Sequence, residues 1–314
     1  MRKKLIKVLL ASLLVITISG CNIETDKKDK DKFQIMTTLF PQYDFSKEIV
    51  KDKGEVSLLI PPGVEAHSYE PTPQDIVKIR KADVFIYTSD YMEPWAKKMI
   101  DEISEEDLLV INLSENLELI DIEGHDDHDH DHEEIDAKDP HTWLDPIYAQ
   151  QMVNNIANKL KIIDKDNAEY YENNAKAYIK ELQQLDADFI SMLEKTSKDT
   201  IIYGGHFAFG YFTKRYNLKH ISPYVGFSPN AEPTPSRIVE LIETLEESDA
   251  KVIYYEELVD PKVAEIISEQ TGAKMLLLHG AHNISKAELN DEITYLEIMY
   301  DNLEKLKEGL GYEK

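Results

Sequence analysis

The chain has 314 residues, a formal net charge of −25 and 42% hydrophobic residues. This length and hydrophobic content suit a folded protein with room for two medium-sized domains. The strongly acidic balance argues against nucleic-acid binding and suits a protein that concentrates cations.

The N-terminus has the features of a secretory signal. Basic residues precede an apolar run, Val8–Ile18, that is short for a membrane span. The tetrapeptide "ISGC", ending at Cys21, resembles a bacterial lipoprotein box with Ile in place of the usual Leu. We therefore expect residues 1–20 to be a lipoprotein signal peptide and Cys21 to be lipidated; an ordinary signal peptide with a stray thiol is the alternative. The charged segment 21–32 predicts a flexible tether.

From Phe33 onward, short apolar runs alternate with helical patterns. Strands are predicted at "FQIMTTL", "EVSLLI", "DVFIYT" and "DLLVIN", with helical segments between them. This alternation predicts βαβ units and a mainly parallel sheet. We expect an N-terminal α/β lobe over residues 33–165, interrupted by an acidic, histidine-rich loop at 121–138.

A long helix is predicted next. The stretch "NAEYYENNAKAYIKELQQLDADFISMLEK" contains neither Pro nor Gly, which favours one uninterrupted helix, placed as a linker over 166–197. Strand and helix patterns then resume over 198–314 and close with a helix expected at about 286–309. The predicted fold class is α/β, with two lobes that each hold a mainly parallel sheet flanked by helices and are joined by one long rigid helix.

Four histidines lie in loops at predicted strand ends or next to a helix start: His67, His141, His206 and His282. Ligands of open parallel sheets gather outside the carboxyl ends of the strands, so we expect a metal site in the cleft between the lobes. With a single cysteine in the chain, a tight transition-metal site must use His, Asp or Glu, and neutral imidazole suits zinc. Four protein ligands would leave no open position, which favours holding a metal over activating water. A structural or surface role is the alternative for any single histidine.

Five stretches resemble the metal-binding lipoproteins of bacterial ABC importers, the ZnuA/TroA-like group: "TTLFPQYDF", "PPGVEAHSYEPTPQDI", "DPHTWLDP", "HFAFGYFTKRY" and "SPNAEPTPSRIVELIE". They follow the family order from about Phe33 to the end of the chain. The resemblance implies a two-lobed fold with a rigid linking helix and a metal between the lobes. It also implies an extracytoplasmic, lipid-anchored, monomeric receptor that captures Zn²⁺ and delivers it to a membrane permease.

The resemblance assigns the first three ligands to His67, His141 and His206. Histidine in the third position is typical of zinc-binding members, whereas manganese binders usually carry Glu, so zinc is expected and a manganese receptor is the alternative. The fourth position departs from many relatives, which place Glu or Asp there. The stretch "LHGAHNIS" offers His282, which we predict as the fourth ligand, with His279 or a water as alternatives.

Four further histidines lie in the run "HDDHDHDH": His125, His128, His130 and His132. Similar acidic histidine loops occur in zinc-binding members of the resembling family. We interpret this one as an auxiliary loop that captures zinc with low affinity near the cleft. The alternative is a solvated acidic insertion that binds metal incidentally.

Carboxylates close to the predicted ligands are candidates for orienting the imidazoles: Glu65, Asp139 and Asp145. His220 is expected to be structural, and Trp143 to pack close enough to His141 to report on metal binding. The chain has neither an H-E-x-x-H nor a G-x-S-x-G motif, so a zinc hydrolase is not expected. A metal-dependent surface adhesin is compatible with transport and stays open.

Overall fold

The computed structural model describes residues 32–102, 108–121, 138–224, 233–248 and 250–313. The first part of the chain forms one sheet of parallel strands in the order β2-β1-β3-β4. Its strands are β1 Phe33–Thr37, β2 Gly54–Leu58, β3 Val84–Tyr87 and β4 Leu109–Asn112, and the helices between them are α1 Phe40–Val50, α2 Pro73–Ile79 and α3 Pro94–Ile100. In the central strand, Ile35 pairs with Val56 on one side and Val84 on the other.

Two longer helices follow, α4 Pro146–Ile163 and α5 Ala168–Leu193. The apolar residues of α5 recur every three or four positions, which places them along one face of the helix. Seven of them are buried: Tyr171, Ala175, Tyr178, Leu182, Leu185, Phe189 and Met192. Through this face α5 packs against α4 and against α1 of the first sheet.

The last part of the chain forms two pairs of parallel strands. Strand β5 Thr200–Ile202 pairs with β6 Lys219–Ile221, and β7 Val252–Tyr255 pairs with β8 Lys274–Leu277. A parallel bridge between Tyr203 and Tyr254 connects the two pairs. The helices of this part are α6 Gly210–Tyr216, α7 Pro235–Glu247, α8 Lys262–Thr271, α9 Lys286–Asn290 and α10 Tyr295–Gly309.

The main apolar core includes residues from both parts of the chain. Phe45 of α1 contacts Tyr295 of α10 edge-on, with ring centroids 4.9 Å apart, and lies 5.9 Å from the ring of Tyr178 on α5. Such aromatic pairs stabilise a core beyond the area that they bury. The long helix therefore shares one packed core with the first and last helices of the fold.

The predicted α/β fold with parallel sheets, flanking helices and one long helix is confirmed. The single helix predicted at about 286–309 is wrong, because α9 and α10 are separate. Glu292 adopts a left-handed backbone with φ 55°, and Thr294 caps the start of α10 through its side chain. The domain boundaries at 165 and 198 stay a prediction. No helix in the described ranges is long and apolar enough to cross a membrane.

Candidate metal centre

The structure brings His67, His141, His206 and His282 together. One ring nitrogen from each lies within 4.8 Å of the others, and Nε2 of His141 is 3.1 Å from Nε2 of His67. Three of the rings are buried, with 0% of His141, 2% of His206 and 8% of His282 exposed, whereas His67 is half-buried. A zinc ion bonded to four imidazoles at about 2.0–2.1 Å holds its ligand nitrogens a little over 3 Å apart, so this cluster is close to zinc-binding geometry.

Three of the four imidazoles contact a carboxylate through Nδ1. The distances are 2.7 Å from His141 to Asp139, 3.1 Å from His206 to Glu256 and 2.9 Å from His282 to Glu257. A carboxylate accepts a hydrogen bond, so each contact favours the tautomer with hydrogen on Nδ1 and a lone pair on Nε2. This is the arrangement of metal-binding histidines in proteins. In keeping with it, the buried Nε2 of His282 has no hydrogen-bond partner among the described residues.

Glycines make room for these carboxylate–imidazole pairs. A Cβ atom on Gly205 would lie 2.8 Å from Oε1 of Glu256, and one on Gly280 would lie 2.6 Å from Cε1 of His282. A Cβ on Gly210 would overlap the carboxylate of Asp139. Each glycine thus allows the backbone to approach a group that supports the site, and any larger residue would displace that group.

Burial keeps the imidazoles of His67 and His141 neutral. Burial, with the neighbouring His282 adding to it, lowers the pKa of His67 to about 2, and burial lowers the pKa of His141 well below its usual value. Burial also raises the pKa of Asp139 to about 7. Because metal ligands must be unprotonated, neutral imidazoles are ready to bind a cation without first losing a proton.

Backbone and side-chain bonds fix the loops that carry the ligands. Asn283 donates from Nδ2 to the carbonyls of Pro61 and Val64, at 2.8 and 2.9 Å. The N–H of Gly63 donates to the carbonyl of Ile284 at 2.8 Å. These bonds join the loop of His67, which follows β2, directly to the loop of His282, which follows β8.

The segment that carries His141 is held by the helix after His206. Tyr211 of α6 donates from its hydroxyl to the carbonyl of Asp139 at 2.7 Å. On the same helix, Arg215 lies 3.5 Å from Asp145 and forms a 2.6 Å ion pair with Asp186 of α5. The positions of His141 and His206 are therefore coupled through α6.

The ring of Trp143 is buried against the site. Its centroid lies 5.4 Å from that of His141 and 5.4 Å from that of His282. Its indole N–H donates to the carbonyl of Gly280 at 2.8 Å, which holds it in place. The position of this ring fits the expectation that Trp143 reports on metal binding.

His279 does not join the cluster and lies behind it. Its Nδ1 accepts the N–H of Ala281 at 2.9 Å, and its Nε2 lies 3.5 Å from Glu288. Although burial alone would lower it, the pKa of His279 is raised by the carboxylates of Glu257 and Glu288. His279 is thus engaged with carboxylates, whereas the ring of His282 lies among the other three imidazoles.

The structure separates the three carboxylates that the sequence suggests for orienting the imidazoles. Asp139 contacts the ring of His141. Glu65 accepts the backbone N–H of His67 at 2.7 Å, and Asp145 caps α4 by accepting the N–H of Ile147. Of these three carboxylates, Asp139 is the one that contacts an imidazole ring among the described residues.

Glu256 and Glu257 were missed from the sequence. They follow β7, and their position at the carboxyl end of a parallel strand is the signal that points to them. Other predicted residues lie outside the described ranges: His125, His128, His130, His132 and Cys21. His220 stacks on Phe207 with centroids 3.8 Å apart, in line with a packing role.

One side of the cluster faces a pocket lined by segments 64–67 and 256–259, together with other residues of the site. Three of the lining residues are apolar and exposed: Val64, Leu258 and Val259. The half-buried His67 lies on this side, so it is the ligand candidate that solvent reaches most easily.

The chain is similar to known zinc-binding proteins. The chain is 40% identical to the high-affinity zinc uptake system protein ZnuA of Bacillus subtilis, with 96% of each chain covered. It is 33% identical to the zinc-binding lipoprotein AdcA of Streptococcus pneumoniae; this match covers 99% of the chain and 62% of that relative's length.

The chain is also similar to solved structures of metal-binding proteins. The Zn(II)-bound ZnuA-like domain of S. pneumoniae AdcA matches with a TM-score of 0.76 at 32% identity, over 89% of this chain and 99% of that one. The laminin-binding protein Lmb of Streptococcus agalactiae, described as bifunctional with adhesin and metal-transporting activity, matches with a TM-score of 0.78 at 32% identity, over 89% and 99%. The family model described as "Zinc-uptake complex component A periplasmic" matches residues 35–309, and the chain belongs to this ZnuA family.

Proposed function

We propose that this chain is an extracytoplasmic receptor that binds one Zn²⁺ through His67, His141, His206 and His282 and delivers it to an ABC-type membrane permease. The observation that carries the proposal is the convergence of four imidazoles, three of which contact a carboxylate through Nδ1. The ion is cargo here, taken up at the cleft and released to the permease.

The donor set favours zinc over manganese. Four imidazoles offer nitrogen ligands only, and imidazole suits zinc, whereas manganese prefers carboxylate and carbonyl oxygens. The carboxylates of the site are hydrogen-bonded to the imidazoles, so they support the ligands. We therefore expect Mn²⁺ to bind much more weakly than Zn²⁺.

The same four ligands argue against catalysis. A zinc hydrolase needs an open coordination position for water, and four protein ligands fill a tetrahedral zinc. A receptor needs the opposite, a closed site that releases its ion when the loops move. The Lmb relative is described as combining adhesion with metal transport, and transport is the activity that these four histidines support.

Two parts of the proposal concern segments outside the described residues. We place the protein on the outer face of the cytoplasmic membrane, anchored through a lipid on Cys21 after removal of residues 1–20. We also assign low-affinity zinc capture to the histidines of the acidic loop: His125, His128, His130 and His132. Among the curated relatives, AdcA is named a lipoprotein, which supports the anchor.

Release fits a two-lobe arrangement, 33–165 and 198–314, with the helix over 166–197 between them. A rigid helix limits how far two lobes can close on a ligand, so we expect metal release to need only a small movement of the ligand loops. The protein is proposed to act as a monomer that meets the permease with its acidic surface.

The test is a competition titration of the purified, metal-free chain with zinc and a chelator of known affinity. We expect one tight equivalent, sharply weakened on replacing His67, His141, His206 or His282 by Ala, and no tight equivalent for Mn²⁺. Deleting residues 124–133 should leave the tight equivalent unchanged and remove weak equivalents. A wild-type chain without a tight zinc equivalent would contradict the proposal.

A further inference from the structure

Two adjacent carboxylates at the end of β7 each hold a different histidine of the site. Glu256 contacts His206, which follows β5, and Glu257 contacts His282, which follows β8. One short stretch of backbone therefore reaches two of the four ligand candidates, although these are far apart in the chain.

Each carboxylate binds both the ring and the backbone of its histidine. For His206, the N–H donates to Oε1 of Glu256 at 3.0 Å, and Nδ1 lies 3.1 Å from Oε2. For His282, the N–H and Nδ1 lie 3.3 and 2.9 Å from Oε1 of Glu257, whose Oε2 accepts the N–H of Gly280 at 2.7 Å. Two attachment points fix the loop and the rotation of the ring together, which a single bond to Nδ1 cannot do.

The support beneath the pair is rigid. Strand β7 is largely buried and is bonded to β8 along its whole length, and the N–H of Leu278 donates to the carbonyl of Tyr255 at 3.0 Å where both strands end. Gly205 and Gly280 leave room for the two carboxylates and the ring of His282. A group on the end of a paired strand is positioned more firmly than one on a free loop.

We infer, building on the proposed function, that Glu256 and Glu257 are paired positioning residues that hold His206 and His282 with Nε2 directed at the bound zinc. Glu256 acts on the ion through His206, and Glu257 acts through His282. Zinc affinity therefore depends on two carboxylates that do not touch the ion.

The experiment measures zinc affinity by chelator competition for the wild-type chain, Glu256→Gln and Glu257→Gln. Glu269→Gln is the matched control, because Glu269 is exposed on α8. Loss of a partner of this kind typically weakens metal binding about 10–100-fold, so we expect a loss in this range for the two site variants and none for the control. Ala at either position should cost more than Gln, since the amide oxygen of Gln can still accept a hydrogen bond.

Double-mutant cycles separate positioning from a general effect on folding. In a His206→Ala background, Glu256→Gln should have no further effect on affinity, whereas Glu257→Gln should retain its full effect. In a His282→Ala background, Glu257→Gln should have no further effect on affinity, whereas Glu256→Gln should retain its full effect. As a spectroscopic readout, the visible absorption of bound Co²⁺ should change in each Gln variant, because the geometry of the ligands changes, and should stay as in wild type for Glu269→Gln.

The outcomes separate this inference from the proposed function. A wild-type chain that binds zinc tightly, with both Gln variants binding equally well and with unchanged Co²⁺ spectra, would overturn the inference alone. Equal effects of each Gln variant in both histidine backgrounds would overturn it as well. A wild-type chain that does not bind zinc tightly would overturn the proposed function, and the inference with it.

Discussion

Replacing His282 by Ala should cost far more zinc affinity than replacing His279 by Ala. His282 contributes one of four nitrogens in the cluster. Binding of zinc to structural sites contributes about 10–16 kcal/mol, so an equal share for each of four ligands is about 2.5–4 kcal/mol, or roughly 10²–10³-fold in affinity. His279 lies outside the cluster, so His279→Ala should keep the affinity within about tenfold of wild type, the lower end of effects seen for groups that support a ligand.

The second effect of His279→Ala should appear in stability. Its ring lies 3.6 Å from Glu257 and 3.5 Å from Glu288, and removing it leaves these carboxylates short of a partner. We expect the free energy of unfolding of the metal-free chain to fall by about 1–3 kcal/mol. Affinity is measured by chelator competition and stability by denaturant unfolding. His220→Ala, which removes a histidine outside the cluster, is measured alongside as a comparison. Normal zinc binding by His282→Ala combined with its loss in His279→Ala would refute the reasoning.

Three other predictions follow from the geometry. Zinc should change the fluorescence of Trp143, so Trp143→Phe should abolish the signal that Trp95→Phe retains. Gly210→Ala should weaken zinc binding about 10–100-fold, because the added Cβ displaces Asp139, which contacts the ring of His141. Burial raises the pKa of Asp44 to about 6, so the folded metal-free chain holds a proton that the unfolded chain releases above about pH 4. The free energy of unfolding of the wild-type chain therefore falls as pH rises from about 4 to 6. Over this pH range the free energy of unfolding of Asp44→Asn, measured with denaturant, should rise by up to about 3 kcal/mol relative to wild type.

Each of these has a result that would count against it. An unchanged zinc-dependent signal in Trp143→Phe would place the reporter elsewhere. For Gly210→Ala, the control is Gly272→Ala. Gly272 ends α8 with φ 73°, so this variant should lower the free energy of unfolding by about 1 kcal/mol without altering zinc affinity. Equal zinc affinities of Gly210→Ala and Gly272→Ala would show that Asp139 does not need the space that the missing Cβ of Gly210 leaves. For Asp44, parallel pH profiles of variant and wild type would contradict the raised pKa.

The fold was predictable because its elements are periodic. Alternating apolar runs and helical patterns placed the parallel strands, and the absence of Pro and Gly indicated the long helix, which spans Ala168–Leu193. The break between α9 and α10 was missed because no Pro or Gly marks it. It depends on a left-handed Glu292 and on the cap of Thr294, which are local conformations and not composition.

The candidate site was predictable in part. His67, His141 and His206 were assigned through motifs, and a position next to a strand end suggested His282. The choice between His282 and His279 needed the structure. The two histidines are three positions apart in one loop, and the conformation of that loop determines which ring faces the cluster. Glu256 and Glu257 could not be assigned from the sequence, since their partners are about fifty and twenty-five residues away.

We propose that the contacts between the segments of the four histidines let the site both hold and release an ion. Asn283 and Gly63 join the loops of His67 and His282, while Tyr211 joins α6, which follows His206, to the segment of His141. Each contact joins a segment that carries a ligand candidate of the first part of the chain to a segment of the last part. A small movement of these segments breaks such contacts and separates His67 from His282 and His141 from His206, so four nitrogens no longer reach one ion. Because each contact is one or two hydrogen bonds, worth about 1 kcal/mol each, a docking partner can supply the energy that opens the site.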